Sequence, residues 1–299
     1  MNAPTHLLKD RLPATVSLHA QIPSSHPSSR TLGQERMGSG AVVSPEGHIL
    51  TVNYVVLGAK SLSATLPEGR RYPATIAAQD FDTGIAVLKV EAQGLPCAIL
   101  GSSRDLKVGD PCFIVASIGY AERRAATGHV TELGPFDAHW EYMLDRAIRL
   151  TAQNPGLGGG PLFDQRGQMV GVISLNINEI AAYSLAIPIE AFRDYQQELL
   201  EFGRIMSRPR RAWVGMYSQP LDEGVLIWSL VPKAPAETAG LRKGDVVLAL
   251  NYRNISSRVD LYRELWKHRP GEKVVFTVLR NQEVRYVEVT SGDRAAFYR

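Results

Sequence analysis

The stretch best suited to chemistry is Asn154-Pro155-Gly156-Leu157-Gly158-Gly159-Gly160-Pro161. Glycines admit backbone dihedrals closed to other residues, so the amides of Gly156, Leu157 and Gly158 can turn together toward an anion or a carbonyl oxygen. Such a nest has no nucleophile of its own. Ser174 and Ser184 lie downstream and read as hydrogen-bonded strand or loop hydroxyls rather than nucleophiles. His48, His129 and His139 match no compact zinc spacing and have no Cys close by, so they read as surface or turn histidines. No metal and no cofactor is expected. Cys97 and Cys112 are too few for a disulfide framework and read as two buried thiols.

The elements that position these groups are short. From Ala14 to Pro188, strand-like runs at Ala41 to Val43, Ile49 to Val52, Ile85 to Val90, Phe113 to Ser117 and Met169 to Leu175 alternate with Gly, Pro, Asn and Asp turns. Close spacing of short strands predicts a sandwich or barrel. Residues Ile189 to Met206 read as one helix, ending in a Pro- and Arg-rich linker, Ser207 to Arg211. A second unit of about 80 residues follows. Its expected strands are Trp213 to Tyr217, Gly224 to Leu230, Val246 to Asn251, Val274 to Arg280 and Val284 to Thr290, with helices at Pro235 to Ala239 and Asp260 to His268. Residues 1–13 and 292–299 read as loose ends.

A length of 299 residues suits two domains. Hydrophobic residues at 44% and charged residues at 21% describe a globular chain, and a net charge of +3 without a basic block argues against a nucleic-acid partner. No apolar run is long enough for a membrane span, and Met1 to Pro13 lacks a signal-peptide core, so a cytoplasmic location is expected.

Several segments, in order and spacing, resemble the HtrA family of chymotrypsin-fold serine proteases followed by a PDZ domain. They are Gly38 to Gly47, Ile49-Leu50-Thr51-Val52-Asn53-Tyr54-Val55-Val56, Thr83-Gly84-Ile85-Ala86-Val87-Leu88-Lys89, the glycine run above with Leu162, and Ala186-Ile187-Pro188. The resemblance implies a mainly β fold: a chymotrypsin-like double six-stranded β-barrel over 14–206, the 207–211 linker, and one PDZ domain, a β-sandwich with two helices, over 212–291. It also implies a Ser-His-Asp triad. The matching positions hold Tyr54 for the His, Gly84 for the Asp and Gly158 for the Ser. A glycine forms no acyl-enzyme, a phenol with a pKa near 10 is a poor base at neutral pH, and Gly84 orients nothing. Asp82, two residues before Gly84, would sit about 6–7 Å away along a strand, too far to inherit the Asp role. The loops Asn176 to Tyr183 and Gly119 to Thr127 are short beside the family pattern.

In the second unit, Trp213-Val214-Gly215-Met216 resembles the PDZ carboxylate-binding loop, and Gly240-Leu241-Arg242-Lys243-Gly244-Asp245-Val246-Val247 the turn and strand typical of the family. The resemblance implies peptide capture by β-augmentation, with Val214, Gly215 and Met216 amides holding a terminal carboxylate and Leu261 and Leu265 on the facing helix. Expected partners are peptide or protein carboxy-termini, with self-assembly or assembly with homologues also implied, although Leu12 to Pro23 offers no aromatic for a family-type trimer. The expected function is a catalytically inactive binding scaffold or regulator. The alternatives are a serine endopeptidase with a non-standard site, or a regulatory subunit of an active homologue.

Overall fold

A computed structural model describes residues 11–177 and 183–298. Most of the expected amino-terminal tail and the middle of the 176–183 loop lie outside the described residues; Leu12–Ala14 forms a short 3-10 turn. The chain divides into two compact units. One comprises Met1–Pro135 with Asp145–Met206, the other Phe136–Leu144 with Ser207–Arg299.

In the first unit, β1 (Thr15–Gln21), β2 (Glu35–Val42), β3 (His48–Val52), β4 (Ser61–Thr65), β5 (Arg71–Asp80) and β6 (Ile85–Val90) close into a barrel, in the order β1-β2-β3-β6-β5-β4. A second closed barrel takes β7 (Pro111–Ser117), β8 (Arg123–Ala138), β9 (Tyr142–Leu150), β10 (Pro161–Asp164), β11 (Met169–Ile177) and β12 (Tyr183–Pro188), in the order β10-β11-β12-β9-β8-β7. Closure removes the unpaired edges that short strands would otherwise expose. Leu18, Ile49, Leu50, Ile85 and Leu88 are fully buried on the first barrel's strands, and Phe113, Ile114, Ile148 and Phe163 on the second's. Phe113 and Phe163 are directly paired across β7 and β10, with rings stacked at 5.0 Å. The single helix expected over Ile189 to Met206 is two, Glu190–Arg193 and Gln196–Phe202. Tyr195 leaves helical dihedrals between them, and Gly203, at φ +69°, ends the second. Only Phe192 and Leu199 among their residues are buried, so no continuous apolar stripe holds one straight helix.

The second unit is built on a sheet in the order β13 (Met216–Pro220), β14 (Val225–Leu230), β15 (Val246–Leu250), β17 (Lys273–Arg280), β18 (Glu283–Thr290), with β16 (Arg253–Asn254) beside β15. Its helices are Pro235–Thr238, Arg258–Leu265 and Arg294–Phe297. The core gathers Val214, Met216, Ile227, Leu261, Leu265, Phe276 and Met143.

Two expectations are corrected here. The range 14–206 is not one unit, because Phe136–Leu144, the tip of the β8–β9 hairpin, belongs with the second unit. The end 292–299 is not loose over its described part: Asp293 caps the helix Arg294–Phe297, Gly292 pairs with Trp213, and the Phe297 ring lies 4.8 Å from that of Trp213.

Candidate functional site

Three elements of the first unit converge on the triad-like positions. Tyr54 sits on the four-residue helix Asn53–Val56 that follows β3, Gly84 in the turn before β6, and Gly158 in the loop before β10. The helix is anchored at both ends. Asn53 N donates to Gly84 O at 2.7 Å, and the Arg36 guanidinium donates to the carbonyls of Tyr54 (2.8 Å) and Leu57 (3.1 Å). That cation satisfies carbonyls a short helix leaves unpaired, although burial lowers its own pKa to about 10.

Tyr54 Oη donates to Ser174 O at 2.8 Å, and burial pushes its pKa up to about 12. A Cβ built on Gly158 would lie 2.1 Å from that Oη. The phenol therefore fills the space a nucleophile's side chain would need, and it stays protonated at neutral pH. Gly84 has φ +81°, left-handed backbone that an aspartate enters only at a cost. Asp82 lies in a turn rather than on a strand, so strand spacing does not describe its distance from Gly84.

Two of the three amides expected to form an anion nest are turned elsewhere. Leu157 N donates to Ser117 O at 2.9 Å, and Gly156 N faces Asn154 Oδ1 at 3.4 Å. The loop is drawn onto β2: Ser39 N donates to Gly158 O at 2.7 Å and Ser39 Oγ to Leu157 O at 2.7 Å. At the expected vestigial oxyanion loop of Gly156, Leu157 and Gly158, the 156 and 157 amides are thus partnered within the protein. Ser184 Oγ accepts from Asn154 N at 2.8 Å and donates to Asn176 Oδ1 at 2.7 Å, a structural role. His48, His129 and His139 fall on β3, on β8 and in the β8–β9 turn. Among the described residues no cluster of three or more His, Cys, Asp or Glu is placed to hold a metal ion. Both cysteines are free thiols, Cys112 buried and Cys97 half-buried, which corrects the reading of both as buried.

In the second unit, Val214, Gly215 and Met216 do present their amides to a carboxylate. It is that of Glu141, at the tip of the β8–β9 hairpin. Gly215 N and Met216 N donate to its Oε1 at 2.6 and 2.7 Å, and Val214 N to its Oε2 at 3.2 Å. Gly215, at φ +81°, is required here, since a Cβ would lie 2.3 Å from that of Ala234. Glu141 is 3% exposed. Burial pushes its carboxyl up, opposed by the three amides and the charge of Arg294. Trp213, expected at the groove, instead packs on Val231, Ala234, Phe297 and Tyr298. Leu261 and Leu265 lie in the core shared with Met143, not on an open wall. Glu141, Tyr262 and Arg258 were not legible as site residues, because their partners lie far away in sequence.

The Trypsin-like peptidase domain family matches residues 38–172 and the PDZ domain family residues 212–290. A Halomonas elongata protein named "Probable periplasmic serine endoprotease DegP-like" is 34% identical over 288 residues, covering 89% of this chain and 59% of the relative. A relative of the same name from Ectopseudomonas mendocina is 31% identical over 91% of this chain and 59% of its own length. The chain thus spans a little over half of these curated relatives. The solved structure of the HtrA-type protease AlgW with a decapeptide superposes with a TM-score of 0.60 at 25% identity, covering 97% of this chain and 98% of that one. The expected cytoplasmic location is overturned by these relatives, which are named as periplasmic. Among the described residues no helix is long and apolar enough to cross a membrane.

Proposed function

Since this chain belongs to the HtrA family, with a trypsin-like peptidase domain followed by a PDZ domain, we propose that it is a non-catalytic member that binds peptide or protein segments without cleaving them. One observation carries the reading: the position of the nucleophile is a glycine, and the hydroxyl of Tyr54 occupies the space above it, 2.1 Å from where a Cβ would stand. Without a nucleophile no acyl-enzyme forms, and loss of a triad member alone removes several orders of magnitude in rate. The PDZ unit supports the binding half, because its loop amides already hold a carboxylate. The names of the relatives support action in the periplasm.

The names of the relatives also favour a second reading, a serine endopeptidase with a non-standard site. Treatment of the full chain with a fluorophosphonate probe, alongside a casein digestion assay, separates the two. No labelling and no cleavage are expected; labelling that one hydroxyl substitution abolishes would establish the endopeptidase instead.

A further inference from the structure

We propose that the PDZ groove is occupied by the chain itself, with the tip of the β8–β9 hairpin as resident ligand, and that a peptide with a free carboxy-terminal carboxylate binds by displacing it. The proposal rests on the reading that this groove captures peptides.

Register carries the argument. Met216 N holds the Glu141 carboxylate, and two residues further along β13, Ser218 N donates at 2.8 Å to the carbonyl of His139, two residues back along the hairpin. The steps run in opposite directions along the two segments, the order in which an antiparallel strand added to a sheet edge would meet β13, and β13 is a terminal strand of its sheet. The Glu141 side chain stands where the terminal carboxylate of such a strand would sit. The helix Arg258–Leu265 contributes the other contacts. Tyr262 Oη donates to Ala138 O at 2.6 Å and accepts from Glu141 N at 3.0 Å, and Arg258 Nε donates to Asp137 Oδ2 at 2.5 Å. Arg294 donates to the Glu141 carbonyl at 3.2 Å.

The turn gives a second, independent observation. His139, Trp140 and Glu141 form the loop between β8 and β9, and Glu141 takes φ +52° at its third position. Three-residue hairpin loops place a left-handed residue there, and glycine adopts that conformation at least cost. A glutamate held in it, with its carboxylate driven inward onto three amides, is what an internal ligand requires. Because the hairpin is tethered, it competes at high effective concentration, and the apparent affinity of an external peptide falls by the fraction of molecules with the groove open.

The test uses the full chain, with fluorescence anisotropy against a pool of random octapeptides ending in free carboxylates and the same pool carboxy-amidated. E141A and E141Q are expected to bind the free-carboxylate pool at least tenfold more tightly than wild type, with no gain for the amidated pool. Amide exchange at Val214, Gly215 and Met216 should speed up in both variants while β17 and β18 stay protected. If one variant loses the β17 and β18 protection, the other, with its different side-chain volume, supplies the comparison; loss in both would make the hairpin a structural part of the unit and overturn displacement. Wild type binding the free-carboxylate pool as tightly as the variants, or equal gains for both pools, would also overturn the proposal while leaving peptide binding in place. Binding by neither wild type nor folded variants would reject the peptide-capture reading itself.

Discussion

The hydroxyl of Tyr54 stands 2.1 Å from the point where a Cβ on Gly158 would be, while donating to the carbonyl of Ser174 at 2.8 Å. The two positions are therefore coupled in one direction: Gly158 does not regain a side chain while the Tyr54 hydroxyl stands there.

That coupling gives the first prediction. G158S forces Tyr54 off its hydrogen bond, and the overpacking should cost about 1–3 kcal/mol in urea denaturation without creating fluorophosphonate labelling. In the double variant Y54A/G158S the serine no longer meets the phenol, so the two costs should fall short of adding. Strict additivity would sink the coupling.

The pH dependence of Tyr54 has a definite sign. Its phenol is pushed from 10 to about 12 in the folded chain. Between those values the native state binds more protons than the unfolded state, so the stability Tyr54 contributes is complete below pH 10 and is lost as pH rises toward 12, at most about 2–3 kcal/mol. Y54F leaves the Ser174 carbonyl unpaired and should be less stable by about 1–3 kcal/mol at pH 9. The gap should narrow at pH 11, as read by urea midpoints; a constant gap would contradict the shifted phenol.

The cysteines should differ in reactivity. Cys112 is buried and its thiol is pushed up to about 12, mainly by burial and then by Asp110, while Cys97 is half-buried. Native protein should react with a chromogenic disulfide at Cys97 alone, and denaturant should release the second thiol. Two thiols reacting at one fast rate in native protein would contradict the fold around β7.

The carboxy-terminal helix should be a measurable part of the second unit. Asp293 accepts from Ala295 N at 2.8 Å and Ala296 N at 3.3 Å, and forms an ion pair with Arg210. D293A should cost about 1 kcal/mol in urea denaturation and D293N much less, since asparagine also caps. Equal stability of D293A and wild type would show that the helix contributes nothing.

Much of the architecture was legible. Apolar runs such as Ile49-Leu50-Thr51-Val52 and Ile85-Ala86-Val87-Leu88, closed off by turn residues, predict strands because the pattern of burial is local, and β3 and β6 lie there. The strands of the second unit also lie within a few residues of their expected positions. The helix break at Tyr195 was not legible, since it depends on which faces of Ile189 to Met206 meet other elements. The outer lengths of β8 and β9 escaped as well, because their residues alternate too weakly to announce a long hairpin.

By itself the sequence determined the order of elements and the side chains at positions 54, 84 and 158, since composition and spacing need no partner. Only the tertiary structure decided what those side chains do. Tyr54 fills the space over Gly158 because a helix after β3 and a loop before β10 are folded onto each other. Glu141 reaches the amides of Val214, Gly215 and Met216 across 73 to 75 residues of chain. A carboxylate's partner at that separation is fixed by packing and register, which no local pattern of residue types encodes.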